Sequence, residues 1–202
     1  MSINHWIVKN LVCTLLLAVG GLNMYAQKDK YLIEAEAFQF KGKWSTDRSA
    51  DCMGSAMLRL NGGGSLDEQF DALTVVNIME EGDYNVWVRS ADYDKLPGTR
   101  LFRLSVDEKP MKESGKHGKV GFYWENAGCV QLAKKQVLLR LHDTKRNFGR
   151  CDAILLVKDH SINPNEMDRK EVGKWRKNPV KIETKGSGSV SYTHLRAHET
   201  TL

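Results

Sequence analysis

Apolar and polar residues alternate in short runs through the middle of this chain. Between Tyr84 and Arg89, the residues Tyr84, Val86 and Val88 fall on one side, and Asn85, Trp87 and Arg89 on the other. From Leu101 to Val106 the set Leu101, Arg103, Ser105 opposes Phe102, Leu104, Val106. A period of two places successive side chains on opposite faces of an extended strand. Further strand-like runs are Tyr31–Phe38, Ala56–Leu60, Ala72–Ile78, Gly128–Ala133, Val137–His142 and Ala153–Val157. Turn residues separate them: Asn61-Gly62-Gly63-Gly64, Glu81-Gly82-Asp83 and Asp107-Glu108-Lys109-Pro110. About eight antiparallel strands at such intervals predict an all-β sandwich or barrel. The segment Asn165–Lys177 predicts a short helix, stopped before Asn178-Pro179 because proline disfavours helical geometry in the residue before it.

The two ends depart from this pattern. Lys9 flanks an uncharged apolar run, Leu11–Met24, and Ala26 offers a small residue for cleavage. That is the layout of a secretory signal peptide over residues 1–26, which implies a secreted or periplasmic protein. The run is shorter than the roughly 20 residues a membrane span needs, so no stable membrane insertion is expected. At the other end, Gly186-Ser187-Gly188-Ser189 leads into VSYTHLRAHET, Val190–Thr200. This stretch resembles the translation of an adapter used in sequencing libraries. The resemblance implies an artefactual tail over 186–202 and a natural chain that continues past about Lys185 into a further domain. The expected organisation is a β-sandwich module over 27–160, a linker with a short helix over 161–185, then the tail.

Composition narrows the function classes. The 202 residues are 41% hydrophobic and carry 30 Lys+Arg against 25 Asp+Glu, a net charge of +5. A core of ordinary size is possible without disulfide staples. Charges of both signs alternate, with no basic stripe that would track phosphates, so nucleic acid is not an expected partner. Cys52, Cys129 and Cys151 lie in the module; one pair could bridge in an oxidising compartment, or all three could be buried thiols.

Few residues suggest catalysis. There is no Gly-x-Ser-x-Gly elbow, no Gly-x-Gly-x-x-Gly after a strand, and no Cys/His zinc spacing. His117, His142 and His160 are scattered and read as unpaired, so this part of the chain is not expected to be an enzyme. On the opening run, alternation puts Glu34 and Glu36 on one face. Asp152 heads the apolar run Ala153–Val157, where an unpaired charge is costly to bury. Carboxylates with backbone carbonyls suit Ca²⁺, but exposed acids are equally compatible with this spacing. Aromatic groups that could cover the apolar face of a sugar ring sit in polar loops: Tyr93 within Ala91–Thr99, Trp124 before Glu125-Asn126, and Trp44 within Lys41–Asp51. Trp87 lies inside a strand and is expected to pack. The loop Thr144–Arg150 adds Asn147 and is basic, with Lys145, Arg146 and Arg150.

The order of these motifs carries a resemblance. Glu34-Ala35-Glu36, then Gly82-Asp83-Tyr84-Asn85-Val86-Trp87-Val88-Arg89, Leu104-Ser105-Val106-Asp107, Trp124, Val137-Leu138-Leu139-Arg140-Leu141, Asn147 and Asp152-Ala153-Ile154 resemble the carbohydrate-binding modules of families 6 and 35. The resemblance spans Tyr31 to about Asp159. It implies a jelly-roll β-sandwich of galactose-binding-like type, with a structural calcium on Glu34, Glu36 and Asp152. It implies a sugar cleft lined by Tyr93, Trp124 and Asn147, with Trp44 and Arg150 as further candidates. The basic loop departs from the pattern of neutral-sugar binders and suggests either an acidic glycan, since arginine pairs bidentately with carboxylate or sulfate, or a docking surface. The text Asp152-Ala153-Ile154-Leu155 followed by Asn163-Pro164-Asn165-Glu166 also resembles leading modules of large secreted Bacteroidetes proteins. Some of those continue into an FAD-dependent oxidoreductase domain and others into a polysaccharide-active enzyme. The alternative expectation is therefore an accessory domain that packs on such a catalytic domain and binds no sugar.

Overall fold

The computed structural model describes residues 28–61, 70–144 and 148–182. The expected signal peptide, the expected tail and Asn147 lie outside the described residues. Among the described residues ten strands run in chain order: β1 Lys30–Glu34, β2 Ser45–Arg48, β3 Ala56–Arg59, β4 Ala72–Asn77, β5 Gly82–Ala91, β6 Phe102–Val106, β7 Lys109–Ser114, β8 Phe122–Leu132, β9 Gln136–Asp143 and β10 Arg150–Val157. They form two antiparallel sheets packed as a jelly-roll sandwich. The first has the order β2-β3-β10-β5-β8, with β1 also paired to β10; the second has the order β4-β9-β6-β7.

The period-two pattern explains the inner layer. Val86 and Val88 of β5, Phe102, Leu104 and Val106 of β6, and Val137, Leu139 and Leu141 of β9 all point between the sheets. Two elements were not anticipated from the sequence. β2 is short and polar, and β7 begins immediately after a tight turn. Asp107 and Glu108 both take positive φ, 51° and 63°, so the turn closes in two residues and pairs Val106 with Lys109. A two-residue hairpin of that hand matches the twist of the strands it joins.

β10 is buried on both faces from Cys151 to Val157, because the first sheet has a second apolar layer outside it. Leu32, Met53, Trp124, Ala153, Leu155, Val157 and Val172 form that layer, with Trp87, Ile162, Met167 and Trp175 against it. The C-terminal segment supplies the cover. It contains a single 3₁₀ turn at Pro164–Glu166 and one short helix, α1, Arg169–Gly173, rather than one helix across 165–177. Asp168 caps α1 by accepting from Lys170 N. Beyond α1 the chain runs beside β1: Leu32 N donates to Trp175 O at 2.9 Å and Lys177 N donates to Leu32 O at 2.8 Å. Residues 161–182 thus pack on the sandwich as part of it. Among the described residues, no helix is long and apolar enough to cross a membrane.

Cys52, Cys129 and Cys151 are free thiols. Burial, then the Asp152 carboxylate, pushes the Cys52 thiol up to about 12; full burial raises Cys151 well above its usual range.

Candidate functional site

The loops after β5, β7 and β9 meet at one end of the sandwich, and two carboxylates pin the first two of them. Asp92, buried, accepts from Tyr93 N at 2.7 Å, Gly98 N at 3.2 Å and Gly118 N at 2.8 Å. It therefore ties the loop after β5 to the loop after β7. Glu125 accepts from Ser90 Oγ at 2.6 Å, Gly115 N at 2.7 Å and Lys116 N at 3.2 Å. Phe148 N reaches Thr99 O at 3.4 Å and links the third loop to the first. Each carboxylate satisfies backbone donors that a loop would otherwise leave to water, which orders the loops without a core of their own.

This end carries most of the exposed apolar bulk. Tyr93 is 40% exposed, Leu96 59%, Val120 83% and Phe148 52%; Met79, at the opposite end, is the other large exposed apolar side chain among the described residues. Such clustering marks a surface that meets something. Arg100 sits over the Tyr93 ring with its guanidinium carbon 5.5 Å from the centroid and donates to Asp92 O. Arg150 is half-buried, and its Nε is buried without a hydrogen-bond partner. Burial first, then the neighbouring Arg100 and Arg59, hold the Arg150 guanidinium below its usual pKa. Arg100 thus stands over an exposed phenol ring, and its charge reaches Arg150.

The sequence-derived binding residues divide. Tyr93 and Arg150 lie at the loop end. Trp124 does not present a sugar platform: it is 4% exposed and belongs to the outer apolar layer, under the C-terminal segment. Trp44 is also corrected. It is 3% exposed, sits in the inter-sheet core, and meets Phe102 edge-on at 5.7 Å. Trp44 follows a polar stretch and Trp124 precedes one, Glu125-Asn126, and tertiary contacts bury both. Asp92, Glu125 and Arg100 were missed. Their only sequence signal is an acid or a base beside a glycine-rich loop.

The carboxylates Glu34, Glu36 and Asp152 do not form the expected set. β1 ends at Glu34 and a 3₁₀ turn follows at Ala35–Ala37, so the two glutamates do not share a strand face. Both do reach the backbone of Gly54: an added Cβ there would stand 2.7 Å from Glu36 Oε1 and 2.8 Å from Glu34 Cδ. Every one of the three carboxylates is occupied by donors. Glu36 accepts from Ser55 N at 3.0 Å, Ser55 Oγ at 3.0 Å and Ala56 N. Glu34 accepts from Arg176 Nε at 2.8 Å. Asp152, fully buried, accepts from Met53 N at 3.1 Å, from Arg89 and from the Cys52 thiol. It lies where the β10–β5 register shifts, a bulge that turns its side chain out of the ladder. Burial raises its pKa and Arg89 opposes that shift. N–H groups aimed at carboxylate oxygens repel a cation, so these residues, arranged as they are, do not fit a calcium ion. Among the described residues, no three acidic, His or Cys side chains converge as a metal site.

His142 is not unpaired as the sequence suggested. Its Nε2 lies 2.7 Å from Ser105 Oγ, and its Nδ1 lies 2.7 Å from Asp71 Oδ2 but out of line for a hydrogen bond. The three come together because β4, β9 and β6 are neighbours in the second sheet. Acyl transfer requires an aligned orienting carboxylate and donors for the oxyanion. Ser105 instead stands inside a strand paired on both edges and is almost fully buried. The contact cross-links strands.

No protein-family model matches the sequence, and no curated protein matches it. Solved structures do resemble the fold. A family 35 carbohydrate-binding module from Clostridium thermocellum superposes with a TM-score of 0.50 at 18% identity, over 62% of this chain and 97% of the module. A Podospora anserina β-(1,4)-mannanase that carries a family 35 module gives 0.52 at 17% identity, over 68% of this chain and 30% of that one. The C-terminal family 6 module of a marine laminarinase from Zobellia galactanivorans gives 0.50 at 14% identity, over 64% of this chain and 100% of the module. The chain therefore has the fold of family 6 and family 35 carbohydrate-binding modules.

Proposed function

We propose that this domain is a non-catalytic carbohydrate-binding module that takes an acidic glycan at the loop end of the sandwich. The observation that carries the reading is the grouping of exposed Tyr93 and half-buried Arg100, on a loop ordered by Asp92, with exposed Phe148 and half-buried Arg150 where the chain enters β10. A phenol or phenyl ring covers the C–H face of a sugar. A guanidinium pairs with a uronate carboxylate or a sulfate. Loops fixed in advance lose little entropy when the ligand arrives. The likeness in fold to carbohydrate-binding modules supports the class of ligand.

The test is a glycan array probed with the purified chain and with Tyr93→Ala and Arg150→Ala. Binding to uronate- or sulfate-bearing glycans that both substitutions abolish supports the reading. Binding to neutral glycans alone removes the acidic preference. An absence of binding by a folded protein favours a second reading, in which the loop end docks on a neighbouring catalytic domain. Leu96 and Val120 favour that reading, since exposed aliphatic side chains suit a protein partner better than a sugar ring.

A further inference from the structure

The loop between β2 and β3, residues 49–55, has no regular structure, yet it closes the gap where β10 leaves β1 and meets β3. Its carbonyl oxygens point at cations carried by the chain. Arg89 donates to Asp51 O at 2.9 Å and pairs with Asp152. Arg169 donates to Ala50 O at 3.0 Å and to Cys52 O at 3.1 Å. Arg176 donates to Met53 O at 3.2 Å and pairs with Glu34. Four successive carbonyls and two carboxylates are thus the acceptors that a hard oxygen-loving cation would claim, and three guanidinium groups claim them first.

We propose that Arg89, Arg169 and Arg176 replace a structural metal ion at this loop, so that the domain reaches its native stability without calcium. Two features support the substitution beyond the donors already on Asp152 and Glu36. A guanidinium offers five N–H donors in a fixed plane and stays charged at all working pH values, so one side chain can serve a carboxylate and a carbonyl together, as Arg89 and Arg176 do. Two of the three arginines belong to the C-terminal segment, which lies beside β1 through Leu32 and Lys177. Two of the three cations are therefore delivered by residues 161–182, and the loop and that segment hold each other.

The test measures thermal unfolding of the purified chain in millimolar CaCl₂ and in EGTA, with direct calcium binding by equilibrium dialysis. A native-state ligand at a hundred times its Kd would raise Tm by roughly 5–11 °C. The expected result is the same Tm in both buffers and no calcium retained. Arg169→Gln and Arg176→Gln, at exposed positions that leave the core intact, should each lower Tm equally in calcium and in EGTA. A rise of Tm with calcium, together with one ion retained per chain and loss of both in Glu36→Gln, would overturn the proposal. So would variants of Arg169 and Arg176 that regain the lost stability when calcium is added.

Discussion

Asn165 completes the backbone of Trp124. Its Oδ1 accepts from Trp124 N at 3.0 Å and its Nδ2 donates to Trp124 O at 2.9 Å. β8 is the last strand of its sheet, so the outward N–H and C=O of Trp124 have no strand to pair with. One amide side chain, placed by the 3₁₀ turn at Pro164–Glu166, stands in for that strand and blunts an open edge. Asn165→Ala should leave both groups unmatched beneath the C-terminal segment and cost about 1–3 kcal/mol. Chemical denaturation checks this. A loss smaller than about 0.5 kcal/mol would place the segment's hold elsewhere, in the outer apolar layer.

Trp124→Ala should act on stability, not on ligand affinity. Emptying a buried indole site costs about 3–5 kcal/mol. Tyr93→Ala should do the reverse, since the Tyr93 ring is substantially exposed, and its Tm should stay within a degree or two of the parent. Thermal melts beside glycan titrations separate the two effects. A Trp124→Ala protein of unchanged stability would contradict its place in the outer layer.

Gly54→Ala should be destabilising although alanine is a small change. The added methyl would meet the Glu34 and Glu36 carboxylates at 2.7–2.8 Å, and Glu36 is held there by Ser55 and Ala56. Overpacking of this kind costs about 1–3 kcal/mol. Glu36→Ala should therefore cost less in the Gly54→Ala background than in the parent, because there it also removes an atom that is struck. Urea denaturation of the single and double variants measures that difference.

Iodoacetamide followed by peptide mapping should modify Cys129, which is exposed, and spare Cys52 and Cys151, which are buried. The pH dependence has a definite sign. Cys52 moves from 9.0 up to about 12 in the folded state, so the fold favours the protonated thiol. That contribution is complete below pH 9 and is lost as pH rises from 9 toward 12. Native Cys52 should therefore stay unlabelled between pH 7 and 9, and Cys52→Ala should lose less stability than the parent above pH 9. Rapid native labelling of Cys52 at pH 8 would contradict its burial.

Ser105 should not react with a fluorophosphonate probe, despite the Ser105–His142 contact. An activated serine needs access and an oxyanion site, and Ser105 has a strand on each side. Ser105→Ala should cost about 0.5–1.5 kcal/mol, the net value of one hydrogen bond. Labelling of Ser105 that His142→Ala abolishes would turn the cross-link into a catalytic pair.

The strands were legible where one face met the core and the other met solvent. Tyr84–Arg89 and Leu101–Val106 alternate because each lies between a packed layer and an outer surface, and the observed β5 and β6 contain them. β2 was not legible, since Ser45-Thr46-Asp47-Arg48 buries nothing that leaves a pattern. Alternation through Ala35-Glu36-Ala37 predicts a longer first strand, but the backbone turns there, which moves Glu36 off the face shared with Glu34. The expected helix shrank to Arg169–Gly173 because Trp175 and Lys177 bond to Leu32 as an extended segment.

The candidate site divides along the same line. The sequence by itself determined the all-β class and Tyr93 as a loop aromatic, because alternation and turn chemistry are local properties, and the order of its motifs carried the resemblance that implied a jelly roll. Only the tertiary structure decided the fate of the other residues. It buried Trp44 between the sheets and Trp124 beneath residues 161–182. It brought Arg100 beside Tyr93 and Arg150, and it placed three arginines around a loop whose carboxylates suggest a metal. Those outcomes depend on which segments pack against which, over separations as long as the 142 residues between Glu34 and Arg176. Burial and charge pairing at that range are set by the assembled sheets, and a single sequence carries no periodic signal for them.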